Sequence, residues 1–266
     1  MELIDKKGNM DIICDTNVWY NIANGSIAVD ELDKINLYPT FINLIELSRT
    51  PYILKNLSLV QEAVKSMYKY HSSIFEINPF EYIILKQYAD YKCIDNQFRT
   101  ILKSFERLMR INPMAIIDEK YIIEMRLSIG NYKLYLHQTT NSVNELLPTI
   151  RENIKKTTGK KIHRNMDSMS IIQELISELI NLYSKGSIKL DIANYPWKEI
   201  ELMMIVLDNY FKELELSGNQ KMSPNDWSDI FNMVYVGNDY KYTTREKTWT
   251  RLIKSDKRTE SYLHEL

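Results

Sequence analysis

Cysteine is nearly absent from the 266 residues: Cys14 and Cys93 are the only two. A disulfide framework or a cysteine-rich zinc site is therefore excluded. Cys14 lies in an apolar run and reads as a small buried hydrophobe. Glycine and proline are scarce, at seven each, which argues against a loop-rich β protein and for long regular elements. The four histidines stand apart from every acidic motif, so histidine-based nucleophilic catalysis finds no support. No apolar run reaches membrane-spanning length and no signal-peptide pattern occurs, so no membrane partner is expected. The expected compartment is reducing and cytoplasmic. Excess charge is also missing: the net charge of −1 gives no global attraction to nucleic acid, and an anionic partner must be met by a local basic patch.

What is present starts with core material, 44% hydrophobic residues, enough for one large domain or a domain carrying an insertion. Ile12-Ile13-Cys14 is an apolar run too short for a helix and suited to a strand buried on both faces. It ends in Asp15-Thr16-Asn17, and a short helix follows to Ala23. This pattern delivers a carboxylate at a strand's C-terminal end, where ligands collect in open α/β sheets. Leu37–Phe41 has strand composition, with Pro39 placing it at an edge or a strand end. Residues 42–47 read as a helix with Glu46 among apolar neighbours.

From about Leu54 to Leu216 the apolar period is helical almost throughout. Met166, Met169, Ile172, Leu175 or Ile176, Leu179 and Tyr183 form one stripe. Asn78-Pro79-Phe80-Glu81 and Ser223-Pro224-Asn225-Asp226 are helix starts of one design, a cap, a proline and an acid. Residues 73–77 offer one further strand. The last fifty residues return to α/β character. Trp227, Ile230, Phe231 and Val234 predict a core-facing helix, ended by Gly237-Asn238-Asp239. Tyr240–Thr244 predicts a strand, followed by Arg245-Glu246 and a helix through Trp249, Leu252 and Ile253. No final strand is visible after Ile253.

Asp15, Glu46, Asp229 and Glu246 thus come from four separate pieces of chain, two at strand ends and two on helices. If a parallel sheet gathers them, like charges at short range in low dielectric require a cation. All-oxygen ligands suit Mg²⁺ or Mn²⁺ rather than zinc. Such an ion can hold and polarise a phosphodiester and activate water for in-line attack.

Asp15-Thr16-Asn17-Val18-Trp19 resembles the opening motif of the PIN-domain nucleases. Asn43–Leu47 is similar to the family's second motif, Asn225–Val236 to the third, and Thr243–Trp249 to the fourth. The ordered set is more specific than any one motif and covers roughly residues 11–54 and 222–254. The resemblance implies an α/β fold, a PIN-like parallel sheet flanked by helices with a large mostly α-helical insertion. The nuclease domain would be discontinuous, residues 1–54 and 217–266, with the insertion at 55–216 packed on it. It further implies a Mg²⁺- or Mn²⁺-dependent endoribonuclease acting on single-stranded RNA, with Asp15, Glu46, Asp229 and Glu246 as metal ligands and Asn17 and Thr244 as polar supports. Glu246 stands where the family usually has aspartate. Asp226 competes with Asp229 for the third position, and Asp229 is preferred because Asp226 already has a capping role.

A basic run in the insertion, including Lys155, Lys156, Lys160, Lys161 and Arg164, is a candidate phosphate-tracking patch for RNA. A second cationic set, Arg245, Lys247, Arg251, Lys254, Lys257 and Arg258, follows the fourth motif. Two rivals stay open, a PIN-like RNA-binding or scaffolding protein without catalysis, and a helical interaction module. A toxin-like or defence-related role, RNA against DNA, a protein inhibitor and the oligomeric state are left open by the residues.

Overall fold

The structure, a computed structural model, describes residues 9–93, 97–113, 118–158, 168–216 and 221–266. Its centre is β1 (Met10–Cys14), whose Ile12, Ile13 and Cys14 are wholly buried, as a strand covered on both faces requires. The chain continues through α1 (Thr16–Ala23), β2 (Ile35–Tyr38) and α2 (Phe41–Arg49). Five more helices lead away from the sheet: α3 (Leu57–Tyr70), α4 (Pro79–Gln87), α5 (Gln97–Arg110), α6 (Glu119–Thr158) and α7 (Met169–Tyr183). Then come α8 (Glu201–Leu216), α9 (Pro224–Asn232), β3 (Lys241–Thr243), α10 (Lys247–Lys254) and α11 (Lys257–Glu260).

The sheet is parallel, in the order β2-β1-β3, with Ile12 opposite Leu37 on one side and Lys241 on the other. All three strands therefore end on the same side, at Asp15, Pro39 and Thr244. β2 begins and ends earlier than its composition indicates, because Pro39 has no N–H to continue the ladder. Extended segments lengthen the sheet by single parallel bridges, Leu37 with His71 and Thr40 with Phe75 beside β2, and Tyr242 with Leu263 beside β3. The last is the outer segment that the sequence reading missed. Tyr242 N–H donates to Tyr262 O (2.7 Å) and His264 N–H to Tyr242 O (2.8 Å). At 73–77 the expected strand is only the Phe75 bridge.

The helix starts follow the cap chemistry. Asn78 accepts from Glu81 N–H with Pro79 in the first turn, and Ser223 and Asp226 close a reciprocal capping box on α9. α7 buries Ile172, Leu175, Ile176, Leu179 and Ile180, the expected stripe, although Met166 lies outside the described residues.

Three strands cannot supply a core of this size, and the helices carry it. A single apolar cluster joins Ile13 and Leu37 of the sheet to Val64 of α3, Ile176 of α7, Met203 of α8 and Ile253 of α10. α3 packs along α1, α6 along α9 and α2, and α8 against α10. α6, with 40 residues, spans about 60 Å. No described helix is long and apolar enough to cross a membrane.

Candidate metal centre

The apolar β1 ends abruptly at Asp15, which is 2% exposed. Asp15 occupies the N-cap position of α1, yet its carboxylate makes no cap hydrogen bond. Its firmest contacts come from the end of β3: Thr244 Oγ1 donates to Oδ2 at 3.0 Å, and its own N–H donates to Thr243 O at 2.9 Å. Adjacent strand ends thus fix the acid from both its backbone and its side chain. Beyond β3, Thr244 Oγ1 accepts from Glu246 N–H (3.1 Å), which turns the chain so that Glu246 faces back over Asp15. The Asn17 amide donates to Glu246 Oε1 at 2.7 Å and reaches Asp15 Oδ2 at 3.5 Å. Asp229 completes the group from α9, held by the Trp249 indole N–H at 2.9 Å.

One carboxylate oxygen each of Asp15, Asp229 and Glu246 lies within 4.8 Å of the others. Glu46 stands beside this triad, outside its mutual contact distance. Thr16 Oγ1 donates to Glu46 Oε2, Asn43 Nδ2 donates to Thr16 at 3.0 Å, and Ser228 also donates to Glu46. Asn43 in turn shares the reciprocal cap of α2 with Thr40. A chain of hydrogen bonds therefore runs from the start of α2 to the acid one turn along it.

The electrostatics of the group are those of crowded, desolvated acids. Burial, followed by the Glu246 charge, raises the Asp15 carboxyl to about 6. Burial and the Asp15 charge raise Glu46 to about 7, against the opposing hydrogen bond from Thr16. Asp229 is also pushed well above the usual carboxylate range, by burial first and then by Asp15. Among the described residues no lysine or arginine forms an ion pair with the triad. The donor set is all oxygen, at strand and helix ends, and could hold a metal ion.

Asp226, the alternative ligand, does not join the acids. It accepts from Tyr210 Oη (2.6 Å) and from Ser223 N–H (2.7 Å), which spends the carboxylate on the α9 cap. Asn17 and Thr244 each hydrogen-bond an acid of the triad.

The acids floor an open cleft of about 470 Å³, walled by Tyr20, Tyr52, Arg49, Tyr132, Lys133 and Leu136. The last three belong to α6, and sequence reasoning assigned none of them a part in the site. Tyr132 is 7% exposed and its hydroxyl lies 3.2 Å from Ser228 Oγ, joining α6 to the Ser228–Glu46 contact. Trp249 and Thr16 were also missed. Both stand inside the quoted motifs, but their partners were not legible, because what each touches is set by packing between distant segments.

The basic patches give less. Lys156 is exposed on α6 and pairs with Glu152 at 2.7 Å. The Lys155 side chain and all of Lys160, Lys161 and Arg164 lie outside the described residues. In the second set, Arg251 pairs with Glu213, Lys254 with Glu265 and Arg258 with Asp256, while Arg245 donates to Leu266 O. Those cations are largely committed within the chain; Arg49, which lies over the Tyr132 ring and reaches Gln97 Oε1 at 3.5 Å, and Lys133 line the acidic cleft.

Comparison with known family models, curated proteins and solved structures finds no match to this chain.

Proposed function

We propose that this chain is a PIN-like, metal-dependent endoribonuclease that hydrolyses phosphodiester bonds in single-stranded RNA. The observation that carries the reading is the meeting of Asp15, Asp229 and Glu246, from three separate elements, at the C-terminal ends of a parallel sheet. Asp15, Asp229 and Glu246 would hold Mg²⁺ or Mn²⁺, which supplies Lewis-acid polarisation of the phosphodiester and neutralises charge as the bond breaks.

The chain's own groups do the rest. Thr244, Asn17 and Trp249 orient the three carboxylates before any ligand arrives, so little reorganisation is needed on binding. Glu46, raised towards neutrality and anchored by Thr16 and Ser228, is placed to take the proton of an attacking water. Arg49 and Lys133 on the cleft wall give phosphates a local cationic contact that the net charge does not. Glutamate at position 246, where the family usually has aspartate, is the feature that favours the non-catalytic alternative. Glu246 lies within the triad, which supports the catalytic reading over it.

The test is cleavage of single-stranded RNA by the purified protein with Mg²⁺ or Mn²⁺. Asp15→Asn should lower the rate by about a hundredfold or more, and excess chelator should abolish it. Equal cleavage by Asp15→Asn, or in chelator, would overturn the mechanism.

A further inference from the structure

Behind the acidic cleft lies a second, more enclosed cavity of about 260 Å³. It is formed between α2, α4, α5, α6, α7 and α9, and Arg49, Tyr132 and Leu136 line both spaces. The two sites are also adjacent along the chain: Ile45 and Ser228 face the cavity while their neighbours Glu46 and Asp229 face the cleft. Its walls are aromatic. Phe80 stacks on Tyr183 with ring centroids 4.9 Å apart and an interplanar angle of 19°, and Phe231 closes on Phe80 at 4.9 Å. Tyr135 and Trp227 complete the ring surface, and polar side chains are few: Arg49, Gln97 and Asn131 among them.

We infer that this cavity receives one nucleobase of the strand whose phosphate lies over Asp15, Asp229 and Glu246. The inference rests on the nuclease reading above and adds a subsite to it. A single water needs about 10–15 Å³ of such space, so the cavity is sized for a ring and not for solvent alone. Flat aromatic walls take the face of a base, and a guanidinium and amides suit its hydrogen-bonding edge. Arg49, Tyr132 and Leu136 stand between the two spaces, so a base turned out of a single strand over the acids meets Tyr132 and Leu136 on its way into the cavity. A duplex would keep its bases stacked and out of reach, so the same geometry selects single strands.

The experiment compares a single-stranded RNA with an abasic ribose-phosphate strand of equal length. Binding is read by fluorescence anisotropy in Mn²⁺, using Glu46→Gln protein so that the strand is not consumed. The RNA is expected to bind about tenfold tighter or more, the scale of one base stacked on aromatic side chains. Asn131→Trp crowds the cavity from an exposed position, and Tyr135→Ala removes one wall. Each should bring RNA down to the affinity of the abasic strand and leave the abasic strand and Mn²⁺ uptake unchanged. Melting curves confirm that each variant is folded, and either folded variant is sufficient for the test. Equal binding of the two strands by the parent protein, or a preference that survives both substitutions, overturns the inference. Metal-dependent cutting with equal binding of both strands removes the base site and keeps the nuclease. A base preference lost in both variants, without metal-dependent cutting by the wild-type protein, does the reverse. Failure to bind either strand overturns the base site, and absence of metal-dependent cutting by the wild-type protein as well overturns both.

Discussion

At the scale of single residues, the site is defined by acids that repel one another. Asp15 at about 6 and Glu46 at about 7 are carboxyls that hold protons in the folded chain after the unfolded chain has lost them. The sign follows from linkage, since stability falls with rising pH wherever the native state binds more protons than the unfolded one. The stability tied to these groups is complete below about pH 4 and is lost as the pH climbs through about 6 to 7. In chelator, the melting temperature should therefore fall between about pH 5 and pH 7.5. Mg²⁺ or Mn²⁺ should raise it most at the upper end, where the cation no longer competes with protons. Scanning calorimetry across that range, with and without metal, checks both statements. A chelated protein that grows more stable over the window would show that the crowding of Asp15 and Glu46 is not felt.

At the scale of elements, the question is what brings two helices and two strand ends to one point. Asn232, at the last turn of α9, is 1% exposed and bridges three of the four pieces. Its Nδ2 donates to Cys14 O at the end of β1 (2.9 Å), and its Oδ1 accepts from Thr40 Oγ1, the cap of α2 (2.5 Å). The helix carrying Asp229 is thereby tied to the strand delivering Asp15 and to the start of the helix carrying Glu46. Asn232→Ala strands two buried polar groups and should cost about 2–4 kcal/mol in urea denaturation. Mn²⁺ affinity should also fall by about tenfold, although no ligand is changed. Unaltered affinity in a destabilised variant would confine Asn232 to the core. This clamp marks the limit of what the sequence made legible. β1, α2, α9 and the caps at Asn78 and Ser223 could be read because apolar period and capping are local. The four acids could be singled out from strand ends and helices, but their meeting depended on a parallel sheet that local pattern does not establish. Asn232 donating to Cys14, Trp249 holding Asp229, and Leu263 bridging Tyr242 all depend on contacts across tens to hundreds of residues. No spacing encodes such contacts.

At the scale of the whole molecule, the helices between the two sheet-bearing regions belong to the structure of the site. Residues 55–216 supply Val60, Val64 and Met67 on α3, which packs along α1 just behind Asp15. They also supply Met203 and Val206 on α8, which packs against α10, the helix carrying Trp249. Removing them would expose the far sides of both helices that position acids, and would leave three short strands covered by the short flanking helices alone. The loss extends to the cleft itself, since Tyr132, Lys133 and Leu136 form one of its walls. A chain in which residues 55–216 are replaced by a short flexible linker should therefore show no cooperative thermal transition and no Mn²⁺ binding. Each fully buried aliphatic side chain of the size of valine or leucine contributes about 1.5–3 kcal/mol, so a few lost contacts exceed the net stability of a typical domain. Near-ultraviolet circular dichroism on heating, with a Mn²⁺ titration, measures the outcome. A sharp transition with retained metal binding would mean that the sheet and its two flanking regions fold alone, with the helices as an addition. A broad, metal-insensitive signal would mean that the carboxylates are gathered only when the helical layer closes over them.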